Sequence, residues 1–550
     1  MSSKPPSPWL LGLNHPKWRP YQYEAVEQIK RTFDNKRIAI LEAPTGTGKT
    51  AIATALSNDL YKGDRSTVVV QNLGLLEQYR EYGFNILKGK QAYSCSDPVR
   101  MSLWQNQYGR PATAADCPYT EMYQCRYGKD CGYMTAREKA LNSSRMACTY
   151  KYAALSEKVQ ARGGLFVMDE IHNAVSEILG IGSFVMDDDQ REKFDLPEFP
   201  LRNYRGGEGG LLDEDDLVDI TGWILEASRC LGNTNLFDEI TPEGTEKRKM
   251  LDSLNGLVEL LTVCHGEVFY KCYKTKKWGR GNINYCWHME FRTISPSYLY
   301  HKMTREKEKI LMMSATIGSP KALIAGEMRI SKDEYEYMQY PHPVPVAKRP
   351  IYDIAVAPMS HSNLEKKPYL YDRQAKSIAQ WISEYTDRRW RGVVLTTSYK
   401  KIELLRDGLS RYLGAHRIFK NGAETLQERI QEFMEDESPS VIHVDTIQGW
   451  GTGIDLRVDI ARYCVVAGVP FPNPTDAFEK IRIETPSGRA YATAFAYNSV
   501  MQAAGRVSRG DVRDGEYLVN YGALADKLAT SPYAKKHYSD WFLEAFVKNS

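Results

Sequence analysis

An eight-residue loop, Ala43-Pro44-Thr45-Gly46-Thr47-Gly48-Lys49-Thr50, stands between an apolar run at 37–42 and a stretch of helical composition at 50–60. Strand, glycine turn and helix in this order place helix N–H groups and their partial positive charge at the end of a strand, so the feature selects an α/β fold around a parallel sheet. Gly46 and Gly48 let backbone N–H groups turn toward a phosphate chain, Lys49 neutralises the outer phosphates, and Thr50 ligates Mg²⁺. Far downstream, an apolar run at 165–168 ends on Asp169-Glu170-Ile171-His172. Two carboxylates at the mouth of the same sheet can divide the work, one holding Mg²⁺ and the other polarising the attacking water. His172, directly after them, is read as a relay of nucleotide state. The ligands expected from these residues are ATP and Mg²⁺.

The remaining chain extends this reading. The run 66–71, rich in β-branched residues, is a buried strand followed by a helix at 73–82. Leu217, Ile220, Ile224, Ala227 and Leu231 recur at helical spacing, as do Leu254, Leu257, Leu261 and Cys264, which marks 185–265 as a helical insertion. Residues 267–292 switch to period two, with Ile283, Tyr285, Trp287, Met289 and Phe291 on one face, returning the chain to a sheet before a strand at 311–316. Prolines 341, 343, 345 and 350 make 340–350 a linker. Beyond it, strands at 392–396, 416–420, 440–444 and 462–467 alternate with helices at 400–413 and 425–433. Two α/β halves with two insertions in the first are therefore expected.

Four cysteines, Cys95, Cys117, Cys125 and Cys131, fall between the phosphate loop and the acidic motif, separated by 21, 7 and 5 residues. Structural zinc sites announce themselves with short Cys-x₂₋₄-Cys knuckles, which are absent here. Irregular spacing suits a [4Fe–4S] cluster, with zinc or unligated core thiols as the alternatives. Cys148, Cys230, Cys264, Cys272, Cys286 and Cys464 are scattered and are read as small core residues. Near the far end, Gln502, Gly505, Arg506 and Arg509 have the spacing Gln-x-x-Gly-Arg-x-x-Arg, and the two arginines, three residues apart on one helix face, can reach a γ-phosphate across a cleft.

Lys and Arg number 72 against 69 Asp and Glu, too small an excess to assign nucleic-acid binding. Local clusters are better candidates: Lys271, Lys274, Lys276, Lys277, Trp278 and Arg280, and separately Arg388, Arg389, Trp390 and Arg391, mix cations with aromatics. No secretory leader is read in 1–18 and no apolar run reaches bilayer length, so a soluble intracellular protein is expected.

These motifs, in this order, resemble the XPD/DinG family of superfamily-two DNA helicases. The resemblance runs through Arg19-Pro20-Tyr21-Gln22, the phosphate loop, Leu87-Lys88-Gly89-Lys90 before Cys95, Asp169 to His172, Ser314-Ala315-Thr316, Gly451-Thr452-Gly453-Ile454-Asp455, and Gln502 to Arg509. It implies that Gln22 reads adenine, that Ser314 and Thr316 link ATP to the DNA track, that Asp455 couples the second lobe to nucleotide, and that the four cysteines hold a [4Fe–4S] cluster.

The implied architecture is two RecA-like motor domains, with an iron–sulfur insertion and a helical arch in the first. Motor domain 1 occupies 1–86, 151–184 and 266–339, the cluster domain 87–150, the arch 185–265, the linker 340–350 and motor domain 2 351–550. The implied activity is ATP-dependent, 5′→3′ unwinding by a monomer on single-stranded and forked DNA. Repair, replication or defence proteins are the expected partners. The expected location is nucleoid-associated cytoplasm in a prokaryote or virus, or the nucleus in a eukaryote. A translocase that displaces proteins, and an ATP-regulated DNA-binding subunit, are the alternatives. Three positions depart from the pattern: Gln71-Asn72-Leu73 in place of a threonine-containing contact, Thr452 in place of glutamate, and Asn520-Tyr521-Gly522 in place of Asp-x-Arg.

Overall fold

Helix α1 (Gln22–Asn35) leads into strand β1 (Ile38–Glu42), buried along its length, and the glycine loop then opens into helix α2 (Lys49–Asp59). The computed structural model describes residues 5–59, 65–119, 121–202, 204–232, 241–279, 282–419, 425–450, 460–473, 475–505, 512–513 and 516–547. Strands β2 (Ser66–Val70), β3 (Asn85–Leu87), β4 (Arg145–Thr149), β5 (Leu165–Asp169), β10 (Lys309–Ser314) and β11 (Tyr335–Gln339) join β1 in one sheet, ordered β11-β1-β10-β5-β2-β4-β3. Each pairing in it is parallel.

A parallel sheet is covered on both faces, which is why its strands read as unbroken apolar runs. Ile38, Ile40, Phe166, Met168, Ile310 and Met312 fill the core on one face, and Ala39, Leu41, Leu165, Val167, Leu311 and Met313 fill the other. Because β10 lies between β1 and β5, the phosphate loop, Ser314 and Asp169 leave the sheet at one carboxyl edge. The cysteine segment leaves from the sheet's far end, between edge strand β3 and its neighbour β4.

The second half builds a parallel sheet from β12 (Ile351–Asp353), β13 (Gly392–Thr396), β14 (Ile442–Thr446), β15 (Tyr463–Val466) and β18 (Tyr521–Leu524), ordered β12-β18-β15-β13-β14. A short antiparallel pair, β16 (Val512–Arg513) and β17 (Glu516–Tyr517), precedes β18. The strand expected at 416–420 does not form in the part described. Gly414, at φ +93°, turns the chain into a 3₁₀ segment, Ala415–Arg417, leaving one bridge from Ile418 to Ile442.

Between the motor segments a four-stranded antiparallel sheet, ordered β6-β9-β8-β7, gathers β6 (Ser183–Asp187), β7 (Gly210–Leu211), β8 (Val268–Gly279) and β9 (Asn282–Thr293). The two periodic helices form beside it, α4 (Glu214–Leu231) and α5 (Pro242–Val263). Ile220, Ile224, Leu254 and Leu257 pack there against Tyr270, Cys272, Met289 and Phe291. The period-two segment thus returns to a sheet, but to this one. Residues 268–293, placed above with the motor, pack with the helical insertion because their apolar face meets α4 and α5.

Helix α7 (Pro486–Gly505) ties the halves together. Tyr491 and Ala494 sit in the core of the first sheet, and Ala496, Val500, Met501 and Ala504 in that of the second. At 1.5 Å per residue such a helix is ~30 Å long, enough to bridge two domains. No helix of the described residues is long and apolar enough to cross a membrane.

Candidate nucleotide site and the contacts between motors

The loop takes the shape its glycines permit, with Gly46 at φ +89° and Gly48 at φ +80°. Thr47 is buried and its hydroxyl donates to the Pro44 carbonyl at 2.7 Å, and the Lys49 ammonium lies 3.5 Å from the Ala43 carbonyl. Ala43 and Pro44 are buried, whereas Thr45, Lys49 and Thr50 are half-buried. Gln22, expected at adenine, is buried against the loop itself. Its Oε1 accepts from the Arg19 N–H at 2.8 Å, its Nε2 donates to the Gly48 carbonyl at 3.4 Å, and Arg19 donates to the Gly46 carbonyl at 3.0 Å. The positive φ favours glycine at position 48, where a Cβ would stand 2.3 Å from Gln22 Nε2 and push that amide away from the loop.

Asp169 closes β5, one residue past the apolar run, and is buried. Its carboxylate accepts from the Tyr79 hydroxyl and the Glu170 N–H, each at 2.9 Å, and the Tyr150 hydroxyl donates to its backbone carbonyl at 2.9 Å. Burial, and then the Glu170 charge, push its pKa up to about 6, with Lys49 opposing. The protonated form is therefore favoured on folding. That contribution is full below the usual carboxylate pKa and lost as pH rises through about 6, so ionised Asp169 weakens the nucleotide-free fold at neutral pH. Asp169→Asn keeps the shape: its oxygen accepts from Glu170, and its amide can donate to a turned Tyr79 hydroxyl. This variant is expected to lose ATP hydrolysis yet gain about 1–2 kcal/mol of stability without nucleotide. Denaturant unfolding at pH 7.5 checks this, and a less stable variant would contradict it.

Glu170 adopts a left-handed backbone, φ +51°, unusual for a side chain of its size. Its carboxylate comes within 3.2 Å of His172 Nδ1, which also stands 2.7 Å from the Ser314 hydroxyl. Ser314 accepts from the Thr316 N–H at 3.3 Å. The Thr316 hydroxyl donates to Asn498 Oδ1 at 3.1 Å and accepts from Gln502 Nε2 at 3.0 Å. A continuous polar path therefore runs from Glu170 to α7, which carries the second motor's residues. Asn498 lies one turn before Gln502 on the same helix face, and that spacing could have pointed to it. Tyr79 and Tyr150 carry no comparable sequence signal.

Arg506, Arg509 and Asp455 lie outside the described residues, as does the rest of Gly451 to Asp455. Gln71, where the family pattern differs, accepts from Asn173 at 3.0 Å and donates to Glu177 at 2.9 Å, so both ends of its amide are engaged beside the acidic motif. The basic cluster at 388–391 is largely engaged too. Arg389 pairs with Asp387 at 2.8 Å, Arg391 donates to the Phe433 and Asp436 carbonyls, and Trp390 lies under Arg462 and beside Tyr521. Trp390 and Arg391 thus form an intramolecular seam, while Arg388 and Arg389 remain exposed. On the β8–β9 hairpin Lys274 and Lys276 are exposed, with Lys274 4.6 Å from the centre of the Trp287 ring, and Lys271 is 5.2 Å from that of Tyr273. The side chains of Lys277 and Trp278, and Arg280 itself, lie outside the described residues.

Three 3₁₀ turns, Ala114–Asp116, Met122–Gln124 and Gly128–Asp130, each end on one of the expected cysteines, Cys117, Cys125 and Cys131. The Cys95 N–H donates to the Ala112 carbonyl at 3.0 Å, and the neighbouring Ser96 hydroxyl donates to the Asp130 carbonyl at 2.9 Å. All four thiols are half-buried. Burial raises the Cys95 pKa and lifts Cys117 to about 11, while the buried Arg100 guanidinium nearby opposes both shifts. Among the described residues, no group of three or more His, Cys, Asp or Glu side chains is gathered to hold a metal ion, so this arrangement does not support the expected cluster. Four half-buried thiols, two of them near the buried Arg100 guanidinium, are nonetheless donors of the right chemistry for one, since a four-iron cube spreads its ligands wider than a single ion. Of the scattered cysteines Cys230 is exposed, and the other five are buried as expected.

The family model described as "Helicase C-terminal domain" matches residues 382–542, and that described as "Type III restriction enzyme, res subunit" matches 15–185. No curated protein matches the chain in sequence. The fold is similar to a solved structure titled XPD helicase, at 16% identity and TM-score 0.59 over 95% of this chain and 98% of that one. It is also similar to S. tokodaii Xpd4, at 13% identity and TM-score 0.54 over 96% and 100%. The two family matches, with two parallel sheets and a phosphate loop, mark the chain as an ATP-dependent helicase-type protein. The fold is that of the XPD structures.

Proposed function

We propose that the protein is a DNA helicase that moves 5′→3′ along a single strand and separates the duplex ahead of it. The coupled-motor part of this reading is supported by the path from Glu170 through His172, Ser314 and Thr316 to Asn498 and Gln502, which joins the Glu170 carboxylate to the second motor, and DNA and polarity are supported by the resemblance to the XPD/DinG family. In this reading Lys49 neutralises the β- and γ-phosphates, Thr50 and Asp169 hold Mg²⁺, and Glu170 orients the attacking water. Arg506 and Arg509 meet the growing γ-phosphate charge from the other motor, and Asp455 answers to the nucleotide. His172 passes the change in charge at Glu170 to Ser314, and alternating closure of the motors moves the strand. Lys271, Lys274 and Lys276 on the hairpin neutralise its phosphates.

Cys95, Cys117, Cys125 and Cys131 are proposed to hold a [4Fe–4S] cluster, which when bound stiffens the segment between β3 and β4. Protein purified without oxygen is expected to contain iron and acid-labile sulfide in equal amounts, and Cys117→Ser to lose both. Colourless protein with stoichiometric zinc would sink the cluster. Duplexes with a 5′ or a 3′ single-stranded tail, in DNA and in RNA, test substrate and polarity: only the 5′-tailed DNA should be unwound. ATP hydrolysis without strand separation would favour the translocase or the regulated subunit.

A further inference from the structure

Glu42 is the last residue of β1 and directly precedes the phosphate loop. A glutamate at a strand end ordinarily reaches water, yet this one is fully buried. Its Oε2 accepts from the Gly318 N–H at 2.9 Å and the Tyr337 hydroxyl at 2.5 Å, both in the first motor. Its Oε1 accepts from the Ser539 hydroxyl and, at 2.9 Å, from the Trp541 indole N–H, at the far end of the chain. One carboxylate thus takes donors from the first motor on one oxygen and from the C-terminal segment on the other. A buried carboxylate is tolerated when its lone pairs are filled, and removing donors leaves charge without solvation.

The surrounding contacts make this junction close. Gly318, at φ +64°, passes so near the C-terminal segment that a Cβ there would stand 2.1 Å from the His537 carbonyl oxygen. Arg349 of the linker donates to the Trp541 carbonyl, and the His342 ring lies 5.2 Å from that of Trp541. The Ser539 N–H points at Met501 of α7, 3.2 Å from its sulfur. Other contacts between the motors are of two kinds: Arg482 donates to buried Glu327 at 2.6 Å and Tyr491 packs in the first core, whereas Thr316 meets Asn498 and Gln502 through uncharged side-chain hydrogen bonds, which exchange with water at little net cost.

We infer that Glu42 is a positioning residue: its carboxylate is a fixed pivot, beside the packing of α7, on which the second motor turns relative to the phosphate loop. Nucleotide then opens and closes the cleft at Thr316, Asn498 and Gln502 without detaching the C-terminal segment. The inference rests on the two-motor ATPase reading above. Amide hydrogen exchange of the full chain, with and without a non-hydrolysable ATP analogue, separates the two. Peptides covering 537–543 are expected to exchange equally in both states, while those covering 314–316 and 498–502 change by about tenfold or more. In Ser539→Ala/Trp541→Phe, residues 537–543 become nucleotide-sensitive, and kcat for ATP falls about tenfold with KM within about twofold. A merely structural contact would not make that segment respond to nucleotide. Wild-type protein that binds the analogue but shows 537–543 shifting as much as 498–502 would overturn the pivot alone. Protein that fails to bind the analogue would overturn the pivot and the ATPase reading together.

Discussion

Lys49→Ala is expected to cut ATP hydrolysis by about a thousandfold or more while leaving single-strand binding within about twofold. The ammonium is the side-chain cation that the loop itself carries, 3.5 Å from the Ala43 carbonyl, and its removal takes away the loop's own charge on the β- and γ-phosphates. The lysine carries none of the loop's shape. Gly46 and Gly48 set the backbone, Thr47 braces it on Pro44, and Arg19 and Gln22 hold it from outside. The alanine variant should therefore fold and bind DNA normally. Steady-state phosphate release read beside a single-strand binding isotherm checks it, and a wild-type rate would show that the nucleotide sits elsewhere.

The second large effect is expected from Ser314→Ala/Thr316→Ala. Removing both hydroxyls deletes the groups joining His172 to Asn498 and Gln502 while leaving Lys49, Thr50, Asp169 and Glu170 in place. ATP hydrolysis should survive at roughly a tenth of the wild-type rate or better, whereas unwinding falls by about a hundredfold, because the motors no longer report to one another. The informative quantity is base pairs separated per ATP hydrolysed. An equal fall in both activities would place these hydroxyls in the chemical step instead.

Some of this could be read from the chain and some could not, for identifiable reasons. β1, β5 and β10 were legible because strands of a parallel sheet are buried on both faces, so Ile38 to Leu41 and Leu165 to Met168 are apolar without interruption. Period two in 267–292 announced a strand with one buried face, but periodicity does not name the partner, and the partners proved to be α4 and α5. In its described part, the strand expected at 416–420 gives way to a 3₁₀ turn after Gly414, whose positive φ redirects the chain. Arg389 and Arg391 looked free as a run of charge because sequence does not show which carbonyl or carboxylate each one meets. Glu42 was invisible for the opposite reason. Its donors come from Gly318, Tyr337, Ser539 and Trp541, hundreds of positions away.

The central claim is that nucleotide chemistry on the first motor drives separation of DNA strands through the second. Strand displacement from a 5′-tailed DNA duplex by protein purified without oxygen tests it most directly, with ATP, with a non-hydrolysable analogue, and with Lys49→Ala. The account predicts separated strands only for the wild type with ATP. Separation by Lys49→Ala or with the analogue, or none by wild-type protein that hydrolyses ATP in response to single strands, would contradict it.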